Sequence, residues 1–539
     1  MRVMQKIEFQ GKSSPNDSPN DLDYDVVVVG GSIAGASVAL MLAQRDANLR
    51  VLVIENQETL GRRVGESTVE LSTYFFTRVL GLTRYLNETQ INKQGFRFWF
   101  MNDDAQCMST STEMGGKYLS RVGSFQIDRE EVDAEIMRRG VERGVELWRP
   151  ARVRKFDLKE GGTQTLTVKV DGEEREIRCR WVVDATGRQA ALARHRDTLR
   201  PVDGHPNASV WARFRGTLDF DSPELMAEHP ALMRGFFGTR NTATNHLIGD
   251  GWWAWIIPLK NGDTSIGVTW DKRYFEWPRQ GKNGESGTLT EQLVSVVNSH
   301  PVGRRVIRDA EWIEGDIHIL KNLSYVSDGF AGDGFTQVGD AAGFIDPFYS
   351  MGLDAMAMTA MLSVDLILAQ QSGQCIQDML VKHNTVLRNT YDRWNQAIYR
   401  NKYAYMGDFE LMRAAFLNDI GLYYFGLVMP PYRSGGATLK DGMFHGKIAQ
   451  PFFWYIRWVN RRLAAMGTVR RQRGTFGRKN AKHRMLIPGF AFDSGLAKTC
   501  LKVVWLMFKL ELTEGWRSWR PAKEKGEKTP DANENTTPS

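Results

Sequence analysis

Residues 24–56 read YDVVVVGGSIAGASVALMLAQRDANLRVLVIEN. Four consecutive valines at 26–29 have the composition of a buried strand, a glycine turn follows, an Ala-rich stretch suits a helix, and VLVI at 51–54 supplies a second buried strand. This pattern is a βαβ unit and predicts two parallel strands joined by a crossover helix. Inside the turn, the three positions of G-x-G-x-x-G are Gly30, Ser32 and Gly35. The first glycine permits the tight turn, the second position lets backbone approach a pyrophosphate, and the third lets helix pack on strand. Serine at the middle position departs from the fingerprint, although its side chain is small. Glu55 closes the second strand about 20 residues past Gly35, where a carboxylate accepts hydrogen bonds from ribose hydroxyls and disfavours a ribose phosphate. FAD or NAD is the expected ligand.

Two segments further along select FAD. WVVDATGR (181–188) ends a strand in a small-residue turn, and FTQVGDAAGFIDPFYSMG (335–352) places Asp340 before small residues that can open a helix. A helix N-terminus offers free N–H groups and partial positive charge to a flavin phosphate or to the electron-rich end of an isoalloxazine ring. The bland alternative for both is a strand end and a helix cap. Both stretches resemble the para-hydroxybenzoate hydroxylase-like flavoproteins, whose Gly-Asp motif contacts the ribityl and phosphate region. That resemblance implies cofactor contacts from Gly30, Gly31, Ser32, Ala34, Gly35, Glu55, Arg129, Gly339 and Asp340.

A more specific set follows in order: GRRVGESTVELSTYFF (61–76), NKQGFRFWF (92–100), GWWAWIIP (251–258) and GDAAGFIDPFYSMG (339–352). Together they resemble the flavin-dependent halogenases, nearest to the phenol and pyrrole branch, over about residues 24 to 400. Trp253, Trp255, Ile257 and Pro258 fit the W-x-W-x-I-P pattern, and Lys93 has the spacing of the family's essential lysine. The resemblance implies that reduced FAD, oxygen and chloride or bromide make hypohalous acid. It places the halide beside the backbone of Ser350, Met351 and Gly352, the directing amine at Lys93, and the tunnel wall at Trp253, Trp255 and Pro258. An ammonium in that place polarises a transferred halogen, and a neutral amine forms a haloamine.

Plainer readings stand beside these. A continuous strand over 92–100 puts Lys93 on one face with Gly95, Arg97 and Trp99, where a lysine is ordinarily solvated. Trp253 and Trp255 alternate as core residues do. Ser350 and Gly352 suit a helix cap. Three departures also mark a divergent branch: Tyr349 stands where tryptophan halogenases carry glutamate, Val69-Glu70 replaces a proline-containing continuation, and Met351 interrupts the usual Ser-Ser-Gly or Ser-Thr-Gly. Free tryptophan is therefore not the expected substrate.

The chain has 539 residues with ordinary apolar and charged content and a formal charge of +7. Such a composition excludes a largely disordered, collagenous or multi-spanning protein and predicts several domain-sized pieces. Eleven Lys or Arg and no acidic residue fall within 442–492, so the remainder of the chain is slightly acidic. The default for that block is a solvated basic face; an anionic membrane or the acidic face of a carrier protein are the partners it suits. No nucleic-acid-binding module accompanies it. The four cysteines are far apart, and no His or Cys spacing suggests a metal site. A reducing, cytoplasmic setting is expected, with peripheral membrane contact through 442–510 left open.

The expected architecture is α/β: an FAD-binding Rossmann-like domain over 23–383, an inserted β-sheet substrate domain (about 95–125 and 200–325), and a mainly helical C-terminal region over 384–519. Residues 1–22 and 520–539 read as a flexible arm and a disordered tail. No second nucleotide fingerprint appears, so a separate flavin reductase is the expected source of reduced FAD. Three functions remain open: halogenation of an electron-rich phenol or pyrrole, free, carrier-bound or lipid-linked; an FAD monooxygenase or geranylgeranyl-reductase-like oxidoreductase; and a non-catalytic flavoprotein that holds a membrane or carrier partner.

Overall fold

The computed structural model describes residues 22–279, 287–442, 444, 449–488 and 494–516, with side chains given from 501 onward in the last stretch. The flexible arm and disordered tail expected from the sequence lie, apart from residue 22, outside the described residues.

Strand Tyr24–Val29 sits mid-sheet, parallel to Val51–Ile54 on one side and to Glu173–Asp184 on the other. Glu146–Trp148 continues the first side and Phe335–Gln337 the second, both parallel. All four valines at 26–29 are buried, because helices cover one face and a β-meander the other. The covering helices are α1 (Ile33–Arg45), α2 (Arg129–Val141) and α3 (Gly352–Gln371), with α1 packed on both others. Alone, α3 is apolar enough to span a bilayer, but 83% of its apolar window is buried inside the molecule. Gln164–Val170 and Glu173–Asp184 form an antiparallel hairpin.

A second eight-stranded sheet runs in the order Glu311–Leu320, Asn207–Arg215, Thr264–Asp271, Trp252–Pro258, Thr244–Ile248, Phe96–Phe100, Thr112–Gly116, Arg484–Ile487. Its last strand comes from the C-terminal region, parallel to Thr112–Gly116, so that region completes the second sheet as well as adding helices. Residues 92–100 are not one strand. Ile91–Lys93 pairs with Ser124–Gln126 in a separate ribbon, and the chain turns at Gly95 (φ +73°) before Phe96–Phe100 joins the large sheet. Lys93 therefore does not share a face with Arg97 and Trp99, and the solvated reading fails: its side chain is buried.

The C-terminal helices are α4 (Phe409–Tyr423), α5 (Gln450–Gln472) and α6 (Ser494–Thr513). The basic block is not a uniformly solvated face. Arg470 is buried among Asp408, Glu410 and Glu514; Arg471 pairs with Asp250, Arg462 with Glu511, and Arg484 with Glu113. Sequence-distant carboxylates absorb much of this charge and fasten the segment to the rest of the chain.

Candidate functional site

The glycine turn is held by contacts that admit no larger residue. Gly30 has φ +106°, and a Cβ there would stand 2.4 Å from the Ala185 carbonyl oxygen. A Cβ on Gly35 would stand 1.8 Å from the Gly30 oxygen, so helix α1 meets the turn backbone to backbone. Glu55 accepts from the Gly31 amide at 2.7 Å and from the Gln57 amide at 2.9 Å. Ser32 donates to Asp133, which also accepts from the Ile33 amide and forms a two-point ion pair with Arg129. Arg129 reaches back to the Val64 carbonyl at 2.7 Å. Asp340 is pushed up from the ordinary carboxylate value by burial, against the pull of Arg188 and Arg129.

These groups border a cavity of about 1050 Å³. Gly30, Ser32, Ala34, Glu55, Arg129, Gly339 and Asp340 line it; Gly31 and Gly35 lie behind the wall. Backbone brought close at one end, a ribose-matched carboxylate, a buried arginine and a helix terminus at the other fit an elongated dinucleotide.

Trp253, Trp255, Ser350 and Gly352 line the same cavity further along, together with Ser67, Thr244 and His246. The tryptophan rings are 5.8 Å apart, with Trp253 donating to the Tyr403 hydroxyl at 3.0 Å and Trp255 to Ser265 at 3.1 Å. Each indole N–H is thus satisfied while the ring borders the cavity, which a purely core role does not require. Ile257 lines this stretch of wall, whereas Pro258 at the strand end does not.

Lys93 stands just outside the cavity, 1% exposed. Its Nζ donates to Ser67 Oγ and to the Thr68 carbonyl, both at 2.8 Å, and lies 4.0 Å from the Phe96 ring centroid. Ser67 accepts in turn from Ser350 Oγ at 3.2 Å. One serine therefore links the amine to the turn at the far end of the cavity. Burial pushes Lys93 down to about 7, against the pull of Glu70 and Asp354.

That turn carries backbone strain. Tyr349 (φ +70°) and Ser350 (φ +58°) are consecutive non-glycine residues in the left-handed region, immediately before α3. The Ser350 amide donates to the Pro347 carbonyl at 3.0 Å, so it is not a free donor for an anion as the resemblance implied. Met351 does not line the cavity; Gly352 does, opening α3 where helix amides lack partners in the preceding turn.

Several neighbours escaped the motif reading. His246 is held neutral, burial pushing it down to about 3, with its ring stacked on Phe98 at 4.8 Å. Glu66 is raised to about 7 by burial against its pairing with Arg213. Asp354 is likewise raised to about 7 by burial, its carboxylate accepting from the Ser72 amide at 2.8 Å and Tyr423 at 3.1 Å. Tyr424 donates to Glu70. Tyr349 and Lys402 both reach Asp419 on α4. Glu66 and Ser67 lie within the quoted stretch GRRVGESTVE, and Glu70 and Tyr349 are two of the departures from the family pattern. Nothing local marks His246 or Asp354.

Among the described residues, no group of three or more His, Cys, Asp or Glu converges as a metal site would. The sequence matches the FAD binding domain family over residues 23–374. The chain belongs to that family. FAD is accordingly its cofactor, and the cavity bordered by Gly30, Glu55, Arg129 and Asp340 fits it.

Among its relatives is the flavin-dependent halogenase chlA of Dictyostelium discoideum, 27% identical over 376 residues, which covers 62% of this chain and 58% of that protein. The flavin-dependent halogenase armH5 of Armillaria mellea is 23% identical, covering 65% of each. This FAD-binding chain thus spans about three fifths of the length of these relatives. The 1H-pyrrole-2-carbonyl-[peptidyl-carrier protein] chlorinase of Pseudomonas fluorescens is 24% identical over 400 residues, covering 70% of this chain and 83% of that one. In fold the chain is similar to halogenase PltM solved with phloroglucinol and FAD (TM-score 0.70, 16% identity, 92% of this chain and 99% of that one). It is also similar to the flavin-dependent brominase Bmp2 (TM-score 0.60, 22% identity, 81% and 99%).

Proposed function

We propose that the protein is an FAD-dependent halogenase that places chloride or bromide on an electron-rich aromatic ring. The observation that carries this reading is the position of Lys93: buried, one hydrogen-bonded serine away from the Ser350 turn, at the end of a cavity walled by Trp253 and Trp255. Reduced FAD with oxygen supplies the oxidation that converts halide to hypohalous acid. The chain's own groups do the rest. Gly352 and the start of α3 offer amides and partial positive charge to a halide. The tryptophans keep the aromatic substrate away from the flavin end, so that halogen rather than oxygen is delivered. Lys93, held near 7 by burial, has an amine that takes up or polarises the halogen beside the substrate.

Names among the relatives support a phenol or pyrrole, free or tethered to a carrier protein, and Tyr349 in place of a glutamate argues against free tryptophan. A separate flavin reductase supplies reduced FAD, the chain showing one nucleotide fingerprint. The protein works in the cytoplasm, with the 442–510 segment as a peripheral membrane contact.

The test is turnover with FAD, a flavin reductase, bromide or chloride, and a panel of phenols and pyrroles, followed by mass spectrometry. A halogenated product that disappears in Lys93→Ala while FAD stays bound supports the reading. Halide-independent gain of one oxygen or of two hydrogens replaces it with an oxygenase or a reductase.

A further inference from the structure

A second cavity, of about 920 Å³, lies between α4, α5 and α6 and shares no lining residue with the flavin cavity. Seven Lys or Arg side chains line it against two carboxylates, Glu410 and Glu514. Those carboxylates are already engaged: Glu410 with Arg470, Arg478 and Lys479, and Glu514 with Arg470 and Arg478. Arg413, Arg473, Lys502 and Lys509 form no ion pair among the described residues. Arg413 Nε is buried with no hydrogen-bond partner there, its guanidinium 5.6 Å from the Phe409 ring. A buried donor without an acceptor, among unneutralised cations, calls for an anion.

Helix α6 roofs this cavity and is apolar on two sides. Val503, Met507 and Leu510 face inward, in the helix packed on α4. Leu501, Val504, Trp505, Phe508 and Leu512 fall on one outward stripe at spacings of three and four and are 52–70% exposed. Lys502, Trp505 and Lys509 line the cavity and also stand exposed beside or within the stripe. An outward apolar face with a tryptophan in it, flanked by lysines over a basic pocket, is the chemistry of a helix lying in a bilayer surface.

We infer that α6 lies in the surface of a bilayer containing anionic phospholipid, with one phosphate headgroup taken into the cavity by Arg413, Arg473, Lys502 and Lys509. Charge selects this occupant. A second copy of the chain packed through a two-fold axis would set the same unpaired cations against each other. Nucleic acid would leave the apolar stripe uncovered. The inference rests on the reading that 442–510 meets a membrane, and on nothing in the flavin chemistry.

The test uses the full-length protein with FAD bound, without halide or substrate, so a failure of the halogenase reading cannot affect it. Flotation is measured on phosphatidylcholine vesicles with and without about 30 mol % phosphatidylglycerol. Binding to the anionic vesicles is expected to be about tenfold or more stronger, to weaken with salt, and to blue-shift tryptophan emission. Lys502→Glu/Lys509→Glu is expected to remove most of the preference for anionic vesicles. Trp505→Ser/Phe508→Ser is expected to remove the blue shift, and Arg413→Gln to weaken the anionic arm alone. An unchanged bound-flavin spectrum establishes that each variant is folded.

Equal binding to both vesicle types overturns the headgroup site, and absence of binding to either overturns the whole inference. So does self-association or carrier-protein binding that uses these residues without vesicle binding. Glycerol phosphate that binds as tightly as the vesicles assigns the pocket to a soluble phosphate and overturns the lipid.

Discussion

The two cavities treat cations in opposite ways. Beside the flavin cavity Lys93 is shut away from water, hydrogen-bonded to Ser67 and Thr68, and pushed down to about 7. In the C-terminal cavity Lys502 and Lys509 are exposed, without carboxylate partners among the described residues, and show no such burial. Desolvation tunes a group for chemistry, because a buried amine must take or give up a proton or a bond. Solvated charge keeps its full sign and suits attraction at a surface. One helix belongs to both places: α4 supplies Arg413 to the basic cavity and Asp419 to Tyr349 of the strained turn.

The largest expected effect breaks the buried side of this comparison. Lys93→Ala should lower the halogenation rate by about 10²- to 10⁴-fold, the range for removing a positioned proton-transfer or polarising group. Product formation under excess reductase measures it, and bound FAD should stay near one per chain. A variant that keeps its rate would show that burial of Lys93 is architecture only.

Next in size is the junction that holds the C-terminal region. Arg470 has three carboxylates around it, with Asp408 at 2.7 Å, Glu514 at 2.8 Å and Glu410 at 3.2 Å. Removing one member of a buried ion cluster strands the rest without compensation, so Arg470→Ala should cost about 3–5 kcal/mol in denaturant unfolding. Replacing Arg473, which is exposed and carries no ion pair among the described residues, should cost under about 0.5 kcal/mol. Equal losses would erase the distinction between fastening charges and docking charges.

The pH dependence of stability is smaller and has a definite shape. Asp354 is raised to about 7 in the folded chain, so between about 4 and 7 the folded state holds more protons than the unfolded state, and stability falls as pH rises. Lys93 is lowered to about 7, so between about 7 and 10 the unfolded state holds more protons, and stability rises with pH. Glu66, also raised to about 7, adds to the fall below pH 7, and His246, lowered to about 3, opposes it up to about 6.5, so each contribution is read as a difference between variant and parent. Asp354→Asn should remove a falling contribution of at most about 1.4 kcal/mol per pH unit between about 4 and 7, and Lys93→Met a rising one of the same size between about 7 and 10, read from denaturant midpoints at constant ionic strength.

How much of this was legible depended on the range over which each contact acts. The βαβ unit was legible because strand, turn and helix are specified within 33 residues, by the valines at 26–29, the glycines and Glu55. The order of motifs pointed to Lys93, Trp253 and Trp255; the two tryptophans line the cavity, and Lys93 lies just outside it, hydrogen-bonded to the lining residue Ser67. The strand break at Gly95 was not legible: FRFWF continues the alternating pattern, and only the pairing of Ile91–Lys93 with Ser124–Gln126 reveals the turn. Asp354 and His246 were hidden because their partners come from sequence-distant segments, Ser72 and Tyr423 for Asp354 and Arg97 for His246. The basic block misled for the same reason: Asp250, Glu113 and Asp408, which absorb its charge, are remote in sequence from it.

The smallest expected effect tests whether the two cavities are independent. Lys502→Glu/Lys509→Glu should leave turnover of a free phenol in buffer within about twofold, because exposed charges are screened within about 8–10 Å at physiological salt. If the substrate is lipid-linked, the same variant should raise its apparent KM on anionic vesicles without changing kcat, since the lysines then set only how often enzyme and substrate share a surface. A kcat that changes when vesicles bind would mean that α4 carries the event inward, from Arg413 and Leu417 in the basic cavity to Asp419 at the Tyr349 turn. Asp419→Asn should then abolish that vesicle effect while vesicle binding remains. A constant kcat with a shifted KM would instead show that the basic cavity acts through location and Lys93 through chemistry.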